Sequence, residues 1–442
     1  MKKLLVLSAK ILLSLLTLLA FLEAGLRFAP RLVPLALLVD FQEAPRAEIA
    51  RRVGLPTIND TTLLERDDGG PPLPIFKPFT PVAFKRDEAG APKAVKMDGL
   101  GFCNPPGTDY ETGRFDIVAV GDSFTWCQSV LAEETWPSRL SALLDRPAYN
   151  LGRAGIGLHE YIQILKKFGV QKSPRFVVMN IYEGNDLRDA VQYHMYRRTD
   201  WGRRLPRWGS GPCTSGRRSS CLLCAWLGKT PMARSSYALN LAAVAVDRAR
   251  SGIARGLATL SSDRRKREPK PNFRYRVKLS GVVVAFNPSN TDSDEVTHAR
   301  CLHDREIGLE VFNDALEALV ELSRRHRFLP VVAYSPSAHT VYAENVDFDD
   351  PALADLLRAF SREQRDYFQS KARELGFVFI DLTPSLQAAA RSGGAGELLY
   401  YPGNLHFTAR GHRVVAETLT AALGRAGGAE KAGSVSPERK KK

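Results

Sequence analysis

Four short segments of the sequence carry groups that could together perform acyl transfer. That chemistry requires a nucleophile, a general base within hydrogen-bond reach, and donors aimed at the developing oxyanion. Ser123 offers a hydroxyl nucleophile and His406 an imidazole base. The side-chain amide of Asn185 and the main-chain N–H groups of Gly155 and Ser123 are the predicted oxyanion donors.

Each of these segments is weak evidence when taken alone. A single Gly-Asp-Ser is usually a turn, a single Gly-Asn-Asp is usually a loop cap, and a single histidine usually has no catalytic function. The order of the segments along the chain, and their positions relative to the elements around them, make the combination informative.

Those elements are apolar runs that alternate with helical patterns. Residues 115–120 form a short apolar run that ends at Gly121, which indicates a buried strand, and residues 133–144 carry apolar side chains at helical spacing. Such alternation predicts a parallel sheet with both faces covered. We therefore expect an α/β fold of three layers (α/β/α), with a five-stranded parallel doubly wound sheet and one insertion. The predicted strands are residues 115–120, 148–151, 176–181, 328–334 and 377–381, and the predicted helices are residues 133–144, 159–168, 304–325, 353–375 and 411–423.

The four segments follow four of these strands. Ligands of open parallel sheets bind outside the carboxyl ends of the strands. Ser123 follows the first predicted strand, Gly155 the second, Asn185 the third, and His406 lies in the region after the fifth. We therefore expect all four to meet at one edge of the sheet.

With these residues in place, the chain resembles the SGNH (GDSL-type) hydrolase superfamily, over roughly residues 113–187 and 300–424. Gly121-Asp122-Ser123-Phe124 resembles its first block, Gly155 its second, and Gly184-Asn185-Asp186 its third. His406, with Gly411-His412, resembles the last block. The resemblance implies a flavodoxin-like fold and an esterase, lipase-like, deacetylase or O-acyltransferase activity through an acyl-serine, without metal or cofactor. Three further segments are similar to membrane-anchored bacterial members: Asn150-Leu151-Gly152, Ser335-Pro336-Ser337 and Asp381-Leu382-Thr383-Pro384.

One position departs from that family's pattern. Its members usually carry an Asp two or three residues before the catalytic His, whereas this chain has Asn404 and Gly403 there. An Asp fixes the tautomer of the imidazole and stabilises the imidazolium, but Asn404 supplies no charge. The sequence therefore predicts a slow Ser-His dyad, a different acid, or lost catalysis. If Asn404 occupies the acid position, Asn404→Asp should raise the rate by roughly tenfold to a thousandfold.

The amino-terminal residues 1–28 have the pattern of an export signal or membrane anchor. Two lysines precede an apolar stretch from Leu4 to Leu22, and the exit from that stretch lacks small residues at A-x-A spacing. The stretch is long enough for one membrane span. We expect an uncleaved anchor in the inner membrane, with the catalytic body on the periplasmic, extracytoplasmic side.

The composition of the sequence outside the predicted core suggests further segments of the chain. Residues 29–112, rich in Pro and Gly, are predicted to be a stalk and amino-terminal extension, and residues 188–299 an insertion or lid between two core parts, 113–187 and 300–424. The basic tail, residues 425–442, is expected to be disordered.

Composition narrows the function classes. The chain has 442 residues, 44% hydrophobic and 25% charged, which argues against a collagenous, coiled-coil or mainly disordered protein. Its net charge of +14 is scattered in short runs without a nucleic-acid-binding module, so we expect solvated surface and no nucleic-acid partner. The runs are Arg203-Arg204, Arg217-Arg218, Arg264-Arg265-Lys266-Arg267 and Arg439-Lys440-Lys441-Lys442.

Six cysteines fit an oxidising compartment with some bridging, and the sequence leaves their pairing open. A zinc site at Cys213, Cys221 and Cys224 is disfavoured because no fourth ligand lies nearby at ligand spacing.

The leading hypothesis is a serine ester hydrolase or O-acyltransferase that acts on an envelope glycan or lipid ester. Two alternatives remain open: a non-catalytic relative that binds an acylated or acidic glycan, and an envelope assembly factor whose interface is the insertion at 188–299. Oligomeric state is not predicted.

Overall fold

The computed structural model describes a core, its amino-terminal arm and parts of the insertion. The described residues are 2–33, 61–64, 66–70, 73–84, 93–111, 113–198, 235–246, 274–286 and 293–433, with single residues 45, 48, 49, 52 and 249. The chain divides into two compact units, the first formed by residues 1–61, 198–208 and 217–268, and the second by residues 62–197, 209–216 and 269–442. All predicted site residues belong to the second unit.

A five-stranded parallel sheet forms the centre of the second unit, in the order β12-β10-β7-β5-β6. In terms of its own strands this order is 2-1-3-4-5, the doubly wound flavodoxin-like order, so the predicted fold class is confirmed. The strands of the chain are β1 Thr61–Leu64, β2 Leu73–Phe76, β3 Pro81–Phe84, β4 Lys93–Lys96, β5 Ile117–Gly121, β6 Ala148–Asn150, β7 Phe176–Tyr182, β8 Tyr275–Leu279, β9 Val282–Phe286, β10 Leu329–Ser335, β11 Val346–Phe348 and β12 Val378–Asp381.

Helices cover both faces of this sheet. Every residue of β5 and of β7 is buried, as expected for parallel strands between two helical layers. Helix α2 packs on α10 and α10 on α9, while α3 packs on α6 and α6 on α8. The helices are α1 Lys2–Phe28, α2 Trp136–Leu144, α3 Leu158–Ile164, α4 Asp186–Arg198, α5 Ser293–His303, α6 Asn313–His326, α7 Ala338–Val341, α8 Ala352–Leu375, α9 Thr383–Ser392 and α10 Ala409–Gly433.

The helix predicted over residues 304–325 is wrong in its first part. The chain forms α5 and α6 instead, with a break between them at which Arg305 has a φ of 59° and Gly308 is extended. A positive φ cannot continue a right-handed helix, so the two helices are separate elements. As described below, α5 brings a carboxylate to the candidate site.

The predicted stalk is corrected for residues 62–112, because they belong to the same compact unit as the sheet. Leu73, Ile75 and Phe102 are buried in the main hydrophobic core, and a disulfide joins Cys103 to Cys127. The Pro and Gly content of this arm suggested a spacer, but its short strands place alternate apolar side chains on the core.

The predicted insertion also divides differently. The antiparallel hairpin β8–β9 pairs with β11 and buries Tyr275 and Phe286 in the main core, so this part is integral to the second unit. At the other end, α10 extends to Gly433 and so covers part of the predicted disordered tail. Residues 434–442, the cysteines of the disfavoured zinc site and the four basic runs lie outside the described residues.

In the first unit, α1 covers the predicted anchor. The same unit contains a helix over residues 237–246. Glu23 of α1 accepts hydrogen bonds from the Ser236 hydroxyl and the Ala238 main chain. Within the described part of the chain, no helix combines the length and apolarity that a membrane crossing requires.

Candidate active site

Ser123 lies on a tight turn immediately after β5. The turn is held by the main-chain N–H groups of Thr125 and Trp126, which donate to the Asp122 carbonyl. Gly121 precedes it at a place without room for a side chain, because an added Cβ would lie 2.2 Å from the Thr125 hydroxyl oxygen. The turn directs the Ser123 Oγ towards His406, whose Nε2 is 2.8 Å away. The nucleophile and base predicted from the sequence are therefore brought together.

His406 is held on its other side by the main chain. Its Nδ1 lies 2.8 Å from the carbonyl oxygen of Asn404, so an N–H at Nδ1 leaves the Nε2 lone pair for the serine proton. The loop reaches this shape because Leu405 adopts a φ of 60° while its N–H donates to the Tyr401 carbonyl. The ring of Phe124 stacks on the imidazole at 4.9 Å. Burial lowers the pKa of His406 to about 4, partly offset by the Asn404 carbonyl.

The side chain of Asn404 does not contact the imidazole. Its Oδ1 accepts from the His406 main-chain N–H at 3.1 Å, and its Nδ2 donates to the Ser129 hydroxyl at 3.0 Å. The sequence predicts the Asn404 side chain in the place of the family's acid, and this prediction is corrected. The carboxamide stabilises the loop through its two hydrogen bonds, and the main-chain oxygen of Asn404 contacts Nδ1 instead.

The predicted oxyanion donors surround the same pocket. Ser123, Gly155 and Asn185 all line a cavity of about 260 Å³ that also holds His406. Gly155 has a φ of 76°, the left-handed region that favours glycine, and an added Cβ would meet nothing within 4 Å. Glycine is thus required by backbone conformation here, not by space. Among the described residues, no hydrogen bond begins at the N–H of Ser123 or of Gly155.

Asp122, quoted in the motif without a role, has a raised pKa of about 7. Burial is the main cause, and the charge of Asp189 adds to it, while a hydrogen bond from the Phe124 N–H opposes it. Within the described structure, Asp122 Oδ2 and Asn185 Oδ1 are buried atoms without a hydrogen-bond partner. A hydrogen bond from the Asn185 side chain and the charge of Arg188 also oppose the rise in the pKa of Asp122.

Three other polar residues of the cavity were not predicted, namely Gln128, Arg188 and Glu295. Glu295 lies in the segment that the sequence predicts to be an insertion, residues 188–299, and no local motif indicates a functional role for it. Behind it, Glu183 and His339 complete a buried group whose ligand atoms lie within 4.8 Å of one another, the spacing that a metal ion could use. Both oxygens of Glu183 already accept hydrogen bonds from the hydroxyls of Thr340, Ser361 and Tyr334, which fits a hydrogen-bond network better than a metal site.

Comparison with known proteins gave structural similarities only. No family model and no curated protein matches the chain. A protein of the G-D-S-L family from Desulfitobacterium hafniense is 13% identical over 70% of this chain and 98% of its own, with a TM-score of 0.34. An acetylxylan esterase from Geobacillus stearothermophilus is 11% identical over 71% and 95%, also at 0.34. An alpha/beta hydrolase from the metagenome of Lake Arreo, Spain, is 13% identical over 71% and 97%, at 0.33.

Because these TM-scores lie below 0.5, the assignment of the fold rests on the chain's own sheet topology. The site lies at the carboxyl ends of β5 and β7. These strands are neighbours in the sheet, but β5 is followed in the sheet by β6 on one side and β7 by β10 on the other, which makes this position the topological switch point. The strand order, and the blocks after β5, β6, β7 and β12, are arranged as the resemblance to the SGNH hydrolases predicts.

Proposed function

We propose that this protein is a serine ester hydrolase that acts through an acyl-serine. The observation that carries the proposal is the 2.8 Å contact between Ser123 Oγ and His406 Nε2, in a cavity that contains main-chain N–H groups without acceptors among the described residues. A serine at its ordinary pKa is a poor nucleophile, and a neutral imidazole at this distance can take its proton.

In the proposed reaction, Ser123 Oγ forms a bond to the ester carbonyl carbon as His406 Nε2 accepts the hydroxyl proton. The carbonyl electrons move to the oxygen, which the N–H groups of Ser123 and Gly155 and the amide of Asn185 stabilise. Collapse of this intermediate breaks the bond to the alcohol, which leaves with the proton from His406. Water then repeats the sequence on the acyl-serine and releases the acid.

The same acyl-serine could be transferred to an alcohol in place of water, so O-acyl transfer is a variant of this proposal. A cavity of about 260 Å³ favours a short acyl group over a long lipid chain. The acyl donor that fits best is a short-chain ester of an envelope glycan, and a lipid ester is the less favoured substrate.

Covalent labelling by a fluorophosphonate probe tests the proposal. The wild-type protein should be labelled, and both Ser123→Ala and His406→Ala should abolish labelling and the hydrolysis of p-nitrophenyl acetate. Ser392→Ala, at an exposed serine on the end of α9, is the matched control and should behave as the wild type. If the wild-type protein is not labelled under conditions in which a control serine hydrolase reacts, the proposed enzymatic function is refuted.

We also propose that the second unit works in an oxidising compartment outside the cytoplasmic membrane. The Cys103–Cys127 disulfide supports this placement, because such bonds persist where thiols are not kept reduced. Digestion by external protease in spheroplasts, beside a known exported protein, tests it. Attachment through residues 1–28 stays a sequence-based prediction.

A further inference from the structure

Glu295 brings a buried carboxylate to the lining of the candidate active site. The residue lies near the start of α5 and is only 2% exposed, yet it lines the same cavity as Ser123 and His406. Its Oε1 accepts two hydrogen bonds, from Ser337 Oγ at 2.7 Å and His339 Nε2 at 3.0 Å. In the described part of the chain, no hydrogen bond ends on Oε2.

The support behind Glu295 is rigid and itself buried. His339 is 4% exposed, and its Nδ1 lies 3.3 Å from the hydroxyl of Thr340, which donates to Glu183. Burial lowers the pKa of His339, but the carboxylates of Glu295 and Glu183 outweigh this effect and raise it. The carboxylate is therefore fixed in place before any ligand arrives, and binding to it costs little reorganisation.

We propose that Glu295 Oε2 accepts a hydrogen bond from a hydroxyl of the alcohol part of the substrate, so that the site selects esters of polyhydroxylated alcohols such as saccharides. This inference rests on the proposed esterase function. A hydroxyl-rich alcohol supplies a donor for Oε2, whereas a simple alkyl alcohol would cover that oxygen without a hydrogen bond. Gln128, which lines the same cavity, adds an amide group that can both donate to and accept from hydroxyls.

The test compares two substrates in the full chain: a mono-O-acetylated methyl glucoside and p-nitrophenyl acetate. The measured quantity is the ratio of their kcat/KM values. Glu295→Gln keeps the shape but removes the charge, and it should lower this ratio about 10- to 100-fold, the range for loss of one hydrogen bond to a charged group. Glu321→Gln, at an exposed glutamate of α6 that does not line the cavity, is the control and should leave the ratio within twofold.

The outcomes separate this inference from the function on which it rests. If the wild type hydrolyses neither substrate, the esterase proposal fails. If the wild type hydrolyses both and Glu295→Gln leaves the ratio unchanged, the inference is overturned while the esterase stands.

A second measurement uses only the wild type, in case Glu295→Gln does not fold. Methyl glucoside without the acetyl group should inhibit p-nitrophenyl acetate hydrolysis at least tenfold more strongly than cyclohexanol does. Equal inhibition by the two alcohols would overturn the inference, and so would stronger inhibition by choline, which would indicate that the carboxylate selects a cation.

Discussion

The imidazole of His406 is oriented by the main-chain carbonyl of Asn404, which lies 2.8 Å from Nδ1. A peptide carbonyl fixes the tautomer as a carboxylate would, but it carries no net charge to stabilise the imidazolium. The imidazole therefore has the correct orientation, but its protonated form receives little electrostatic stabilisation. This arrangement favours a slow Ser-His dyad over an inactive protein.

Replacing Asn404 tests this arrangement. Because the side chain contacts the His406 N–H and Ser129 instead of the imidazole, Asn404→Asp should change kcat for p-nitrophenyl acetate less than about threefold. Asn404→Ala loses both loop contacts and should lower kcat about tenfold. Steady-state kinetics on both variants decide the matter, and a gain above tenfold in Asn404→Asp would restore the side-chain role predicted from the sequence.

The pH dependence of activity should reflect the buried imidazole. Its pKa of about 4 lies below the ordinary 6.5, so His406 remains an unprotonated base down to mildly acidic conditions. The acid limb of kcat/KM should have its midpoint near pH 4, with full activity at pH 6. A midpoint at pH 6 to 7, measured with a buffer series at constant ionic strength, would contradict this environment for the base.

The alkaline side should depend on Asp122, whose pKa is raised to about 7. Below that pH the carboxyl of Asp122 is neutral, whereas above it the carboxylate carries a negative charge next to Ser123 and accepts from the Asn185 side chain, which then stabilises the developing oxyanion less well. We expect wild-type activity to fall as pH rises through about 7. Asp122→Asn resembles the protonated form and should keep its activity from pH 7 to 9, so parallel alkaline limbs in the two proteins would refute the assignment.

The Cys103–Cys127 disulfide should support the catalytic loop as well as the fold. Cys127 is two residues before Ser129, the hydroxyl that Asn404 contacts. The double variant Cys103→Ala, Cys127→Ala should lose roughly 3 kcal/mol of unfolding free energy and some activity. Substitution is preferable to a reductant, since Cys301 is also disulfide-bonded. An unchanged urea midpoint would show that the bond does not support the fold, and an unchanged kcat would show that it does not support the catalytic loop.

Gly155→Ala should impair the oxyanion site through the backbone. At a φ of 76° an alanine is strained by about 1–2 kcal/mol, and relaxation of that strain rotates the N–H away from the cavity. Because this donor acts mainly in the transition state, kcat should fall at least tenfold with little change in KM. The reverse pattern, a raised KM alone, would place Gly155 in substrate binding.

The sequence predicts those parts of the fold that local patterns encode. The strands β5 and β7 are apolar runs, interrupted in β7 only by Asn180, and both are predicted within a residue or two of their observed bounds. The role of the Asn404 carbonyl was not predictable, because it depends on a loop conformation with Leu405 at positive φ. Glu295 was not predicted because it lies in the segment interpreted as an insertion, where no motif marks it, and its place at the cavity depends on the tertiary packing of α5.

The contact between Ser123 and His406 joins residues 283 positions apart, and this separation has a consequence for biosynthesis. A chain interrupted anywhere between them carries the nucleophile without its base. At roughly 5–20 residues per second, synthesis of that interval takes on the order of 15–60 s. During this time the emerging polypeptide has no activated serine, so acyl chemistry begins only once nearly all of the α/β core is available to fold.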